Sequence, residues 1–113
     1  MHGLTVRWSL SGAPVGVEQS LASYVADTSH ARFSALEGLR FKTWRVRAGE
    51  WFEGCYVFES SAARDAFQTE FTAGAAESAG SRIVGSAPVL IEACDVVAVA
   101  EGASGFRSAA SYS

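Results

Sequence analysis

The chain has little cysteine, no excess of positive charge, no asparagine and no long apolar run. Its two cysteines, Cys55 and Cys94, are too few for a disulfide scaffold and lack metal-ligand spacing. Both stand in apolar strand contexts, so small buried thiols are expected. The formal charge is -3 and the pI about 5.3, which argues against a nucleic-acid surface. The one local basic cluster, Arg40, Lys42, Arg45 and Arg47, reads as a solvated strand edge rather than an RNA platform. No apolar stretch approaches the ~20 residues of a membrane span. The first residues, MHGLTVRWSLSG, lack the basic start and apolar core of a signal peptide. The expectation is therefore a cytoplasmic protein with no membrane and no nucleic-acid partner. Gly-rich phosphate loops, HExxH and GxSxG are absent. No His/Cys/Asp/Glu set has ligand spacing, so neither a metal nor a bound cofactor is expected.

What is present is a dense apolar and aromatic middle. At 113 residues and 49% hydrophobic, the chain is expected to form one domain and bury roughly two-thirds of its unfolded surface. Leu36 to Glu59 reads as a hairpin: a run to Arg47, a turn at Ala48-Gly49, and a return from Trp51 to Phe58. A two-residue turn would set Trp44 opposite Glu53 and Phe41 opposite Tyr56. It would place Leu39, Phe41, Thr43, Phe52, Gly54, Tyr56 and Phe58 on one face. Lys42, Trp44, Val46, Trp51, Glu53 and Cys55 would share the other. A loop of odd length would swap the faces of one strand.

Around the hairpin, Leu4, Val6, Trp8 and Leu10 alternate as a half-buried strand. From Val17 the apolar spacing becomes three and four (Leu21, Tyr24, Val25, Thr28), the period of an amphipathic helix running into the low thirties. Ser60 and Ser61 offer an N-cap for a helix over Ala62 to Thr72. Pro88 to Ala100 returns to strand composition. Residues 102–113 are Gly-, Ser- and Ala-rich and read as a flexible C-terminal tail behind a domain of residues 1–101. The order β-α-β-β-α-β is that of a ferredoxin-like α+β fold, an antiparallel sheet with two helices on one face. Its other face is left uncovered, which predicts a homodimer.

The segments GLRFKTW, GCYVFES, AARDAF and LIEACDVVAV resemble the YdhR-like monooxygenase family of the dimeric α+β barrel group. Gly38, Leu39, Lys42, Trp44, Gly54, Tyr56 and Phe58 match its pattern by position. Glu37 departs from a usual proline, and Glu53 from the first glycine of a pair. The resemblance implies a barrel-forming homodimer with a pocket between sheet and helices in each subunit. It also implies cofactor-independent oxygenation of an aromatic or quinone-type small molecule.

Such chemistry needs an apolar pocket, a group to take a phenolic proton and donors for the resulting anion. Tyr56 and His30 are the candidate catalytic groups. Trp44, Lys42, Arg7 and Phe41 are the candidate substrate contacts. Each has a plainer alternative: a packed phenol, a solvated helix histidine, an interfacial tryptophan, a surface ion pair. Relatives of this fold that position substrate or oxygen with an asparagine find no counterpart here. A non-catalytic dimeric ligand-binding protein, or an accessory protein, therefore stays open beside the enzyme.

Overall fold

Leu4, Val6 and Trp8 bury one side of the first strand, β1 (His2–Ser9), and the helices assemble on that side. The computed structural model describes residues 1–112. Strand β1 is followed by α1 (Val17–Tyr24), a π-helical turn over Val25–Ser29, and α2 (His30–Ser34), one continuous helical stretch. Then come β2 (Leu39–Arg47), β3 (Trp51–Phe58), α3 (Ser61–Ala73), a 3-10 turn (Ala75–Glu77), α4 (Ala79–Val84) and β4 (Leu90–Asp95). The strands form one antiparallel sheet in the order β2-β3-β1-β4. This is a ferredoxin-like α+β architecture with helices on one face.

The core lies between that face and the helices. Leu4, Val6, Trp8, Phe52, Tyr56 and Phe58 from the sheet meet Val17, Leu21, Val25 and Phe33 from the first helical stretch. Ser60 caps α3 by accepting from the Ala63 amide at 3.1 Å, as its position predicts. Helix α3 contributes no fully buried side chain. Its aromatic stripe, Phe67 and Phe71, is only partly covered and forms a wall rather than a sealed contact. The short α4 sits close on Trp8: a Cβ at Gly80 would come within 2.9 Å of the indole.

The hairpin loop has three residues, 48–50, and not two. Gly49 takes a left-handed φ of 75° there, at the third position of the turn that the Glu50 amide closes onto the Arg47 carbonyl, a place that favours glycine. The added residue shifts the pairing to Trp44↔Gly54, Arg45↔Glu53 and Lys42↔Tyr56. This corrects the expected faces, since a one-residue slip moves one strand's side chains to the opposite side. Lys42, Trp44 and Val46 share the helix-covered face with Phe52, Gly54 and Tyr56. Phe41, Thr43 and Arg45 join Glu53, Cys55 and Val57 on the open face. An irregularity between Leu39 and Phe41 completes the offset.

Two further expectations are corrected. Strand β4 ends at Asp95 rather than near Ala100, because Asp95 already pairs with His2. Just beyond it the Val96 amide bonds to the Met1 carbonyl. The cysteines are not buried: Cys55 is half-exposed and Cys94 exposed, both free and both on the open face. Residues 106–112 carry no helix or strand. They cross the free edge of β2, with Phe106 edge-on to Phe41 at 5.7 Å.

Candidate functional site

Where α2 and the π turn lie over β2 and β3, aromatic residues surround a cleft. Phe33 reaches it because the wide turn over Val25–Ser29 resets the helical phase just before α2. Its ring meets Trp44 at 6.0 Å and Tyr56 at 5.6 Å, both edge-on. Tyr56 also packs on Phe67 at 5.0 Å and stacks on Phe58 at 5.9 Å. The inner cavity has a volume of about 310 Å³ and includes Trp8, Arg32, Phe33, Lys42, Tyr56 and Phe71 in its wall. A larger groove of about 920 Å³ adjoins it between α1, β2 and residues 106–112. Lys42 lines both.

Lys42 is the polar centre of this cleft. Its Nζ donates to Tyr56 Oη at 3.0 Å. It also stands 3.4 Å from the ring centre of Phe33, 4.2 Å from that of Tyr56 and 4.5 Å from that of Trp44. Among the described residues it pairs with no carboxylate. Burial, reinforced by the charge of Arg32, lowers its amine from the ordinary 10.5 to about 6. The ring faces return part of the lost solvation to the cation. Burial likewise raises the Tyr56 hydroxyl well above its ordinary range, against the opposing pull of Arg32. At neutral pH the pair is an uncharged amine beside a protonated phenol, an arrangement able to accept one proton and donate another.

The structure brings five of the six sequence-derived candidates to the cavity or the adjoining groove. Tyr56, Lys42 and Trp44 share the covered face. His30 joins them at the rim, its ring 5.8 Å from that of Trp44 and its Nε2 3.5 Å from Ser108 Oγ. His30 lines the outer groove and not the inner cavity. Phe41 likewise lines the outer groove and not the inner cavity, and Arg7 lines neither, because its register places it on the open face.

On that open face Glu53 is 1% exposed, held by Arg7 and Arg45. Arg7 Nε donates to its Oε2 and Arg45 Nε to its Oε1, each at 2.8 Å. Burial would raise this carboxyl, but the bonds from Arg45 and Arg7 outweigh it and hold it below the ordinary carboxylate range. Both guanidinium groups also lie over the Trp51 ring, at 4.5 Å for Arg7 and 5.6 Å for Arg45. Glu53 thus pairs with arginines and is no part of the Trp44 pocket.

Sequence reasoning placed Lys42 among substrate contacts and overlooked one signal. Lys42 is the sole lysine of the chain; the other eight basic residues are arginine. It also missed Arg32, whose charge acts on both Lys42 and Tyr56. No three His, Cys, Asp or Glu side chains among the described residues are grouped to hold a metal. No helix among them is long and apolar enough to cross a membrane.

No protein-family model matches the sequence. No curated protein matches it either. A solved structure does: the crystal structure of the NE2512 protein of unknown function from Nitrosomonas europaea. It is 24% identical, with a TM-score of 0.61 over 90% of this chain and 94% of that one. The likeness shows the fold, and the chemistry rests on the cleft itself.

Proposed function

We propose that the cleft binds a planar aromatic phenol or an anthrone-like compound and that the chain acts as a cofactor-independent monooxygenase. Lys42 takes the acidic proton, a role expected of His30 from the sequence. The electron-rich anion then reduces dioxygen directly. One oxygen atom enters the ring to give a quinone, and the other leaves as water with the two hydrogens the substrate loses. Phe33, Trp44 and Tyr56 line the cavity that takes the substrate, and the Tyr56 hydroxyl donates to its oxygen. The observation that carries this reading is an amine with no carboxylate partner among the described residues, 3.0 Å from the Tyr56 hydroxyl and ringed by three aromatic side chains. The hairpin's likeness to the YdhR-like family supports the same chemistry.

Oxygen uptake with anthrones and naphthols tests it. One O₂ is expected per quinone formed, with no added cofactor and with loss of turnover in Lys42→Met. Binding without uptake in the unmodified protein rejects it. That outcome would favour a ligand-binding protein, a reading supported by one feature. Every buried side-chain polar atom among the described residues already has a partner, so no group awaits substrate.

The open face of the sheet, with Trp51 and the Arg7–Glu53–Arg45 cluster, supports a second copy of the chain as its cover. An uncovered aromatic sheet face is most simply closed by two-fold association.

A further inference from the structure

A chain of 113 residues that carries nine basic side chains uses lysine once. That one amine stands inside the helix–sheet cleft. Arginine serves better than lysine wherever a fixed cation is needed, because its guanidinium stays charged and forks onto carboxylates. Lysine can do what arginine cannot: its amine can lose a proton and become a nucleophile.

We propose that Lys42 is a covalent capture site, its ε-amine forming an imine with an aromatic aldehyde or ketone held in the cavity that Phe33, Trp44 and Tyr56 line. The amine has no competing carboxylate among the described residues. It borders both the inner cavity and the outer groove, so a carbonyl compound can approach from the groove while its ring enters the cavity. A small monocyclic aromatic ring fits a cavity of about 310 Å³. Burial keeps the nitrogen lone pair free at neutral pH.

The step balances within the pair. The Nζ lone pair attacks the carbonyl carbon and the C=O π electrons move to oxygen. That oxygen takes the proton of Tyr56 Oη, which lies 3.0 Å from Nζ. The resulting N–H⁺ returns a proton to the tyrosine oxygen, leaving a neutral carbinolamine. Loss of the hydroxyl with the remaining N–H hydrogen releases water and forms the C=N bond. No oxidant or reductant is consumed.

This inference uses the same cleft as the oxygenase reading but none of its oxygen chemistry, so its test is run under nitrogen. The unmodified chain is incubated at pH 7 with 4-hydroxybenzaldehyde and cyanoborohydride, followed by intact mass and peptide mapping. The only other primary amine is the Met1 terminus, which serves as an internal reference. Lys42 is expected to be labelled at least tenfold faster than Met1, with one adduct per cleft. Butanal is expected to label Lys42 at least tenfold more slowly than the aromatic aldehyde. Labelling confined to Met1 overturns the proposal, as does equal labelling of Lys42 by butanal. Neither readout needs a variant to fold, and neither depends on oxygen uptake. Lys42→Arg, if folded, is expected to leave only the Met1 adduct.

Discussion

A Cβ placed on Gly54 would stand 3.1 Å from Cε of Lys42. The same methyl would lie 3.2 Å from Cε1 of Tyr56 and 3.4 Å from its hydroxyl. Gly54 is paired with Val6 on one side and Trp44 on the other, so the sheet gives it no room to retreat. The absence of a side chain here is what lets the amine and the phenol meet.

Gly54→Ala is therefore expected to destabilise the fold by about 1–3 kcal/mol, the usual cost of overpacking. His30→Ala should change stability by no more than about 0.5 kcal/mol, as a rim residue does. Thermal melts compare the two. Equal, small shifts would show that Gly54 is not where the sheet is tight.

Lys42 links stability to pH. Unfolded, its amine holds a proton up to about 10.5; folded, it gives the proton up at about 6. Between those values the unfolded chain holds the extra proton, so stability rises with pH across the window. Lys42→Met should remove this rise and stabilise the protein at pH 6 by about 1–2 kcal/mol, as apolar replacements of buried ionisable groups do. Urea unfolding at pH 6, 7, 8 and 9 checks both. A parallel pH dependence in wild type and variant would contradict the buried amine.

Glu53 acts in the opposite sense. Its folded carboxyl titrates below the ordinary value because Arg45 and Arg7 hold it. Its contribution is present above about pH 4.5 and is lost as pH falls through the depressed value. Glu53→Gln should cost about 1–3 kcal/mol at pH 7, with the lower end set by the exposure of both arginine partners. The difference from wild type should shrink toward pH 3 in guanidinium titrations.

Light scattering addresses the open face. One chain has a mass of 11.9 kDa, and twice that mass is expected at micromolar concentration. A monomer would overturn the two-fold partner.

Much of the architecture was legible because it rests on period and capping. The alternation of Leu4, Val6 and Trp8, the three-four spacing from Val17, and the Ser60 cap each survive as elements. The site was legible only in part, because its composition depends on a parity that the loop decides. Residues Ala48, Gly49 and Glu50 turn as three, and this alone carries Lys42 and Trp44 to the side of Tyr56 and sends Phe41 away. Arg7, expected among the substrate contacts, lies on the open face with an anion as its partner. That anion is the protein's own Glu53. The end of β4 depends on where β1 begins, a fact of pairing that composition between Pro88 and Ala100 does not record.

The segment that crosses β2 has a bearing on solubility. Strand β2 is an outer strand of the sheet, and such a strand exposes a row of amides and carbonyls that invites other chains to pair with it. Phe106 on Phe41 and Ser108 beside His30 lay residues 106–112 over that row. Among the described residues they form no backbone hydrogen bonds with it. The segment therefore lies beside the strand, across the groove, without adding to the sheet. Removing it would uncover Phe41 at that edge, while Arg40, Arg45 and Arg47 along the strand still oppose pairing with another chain.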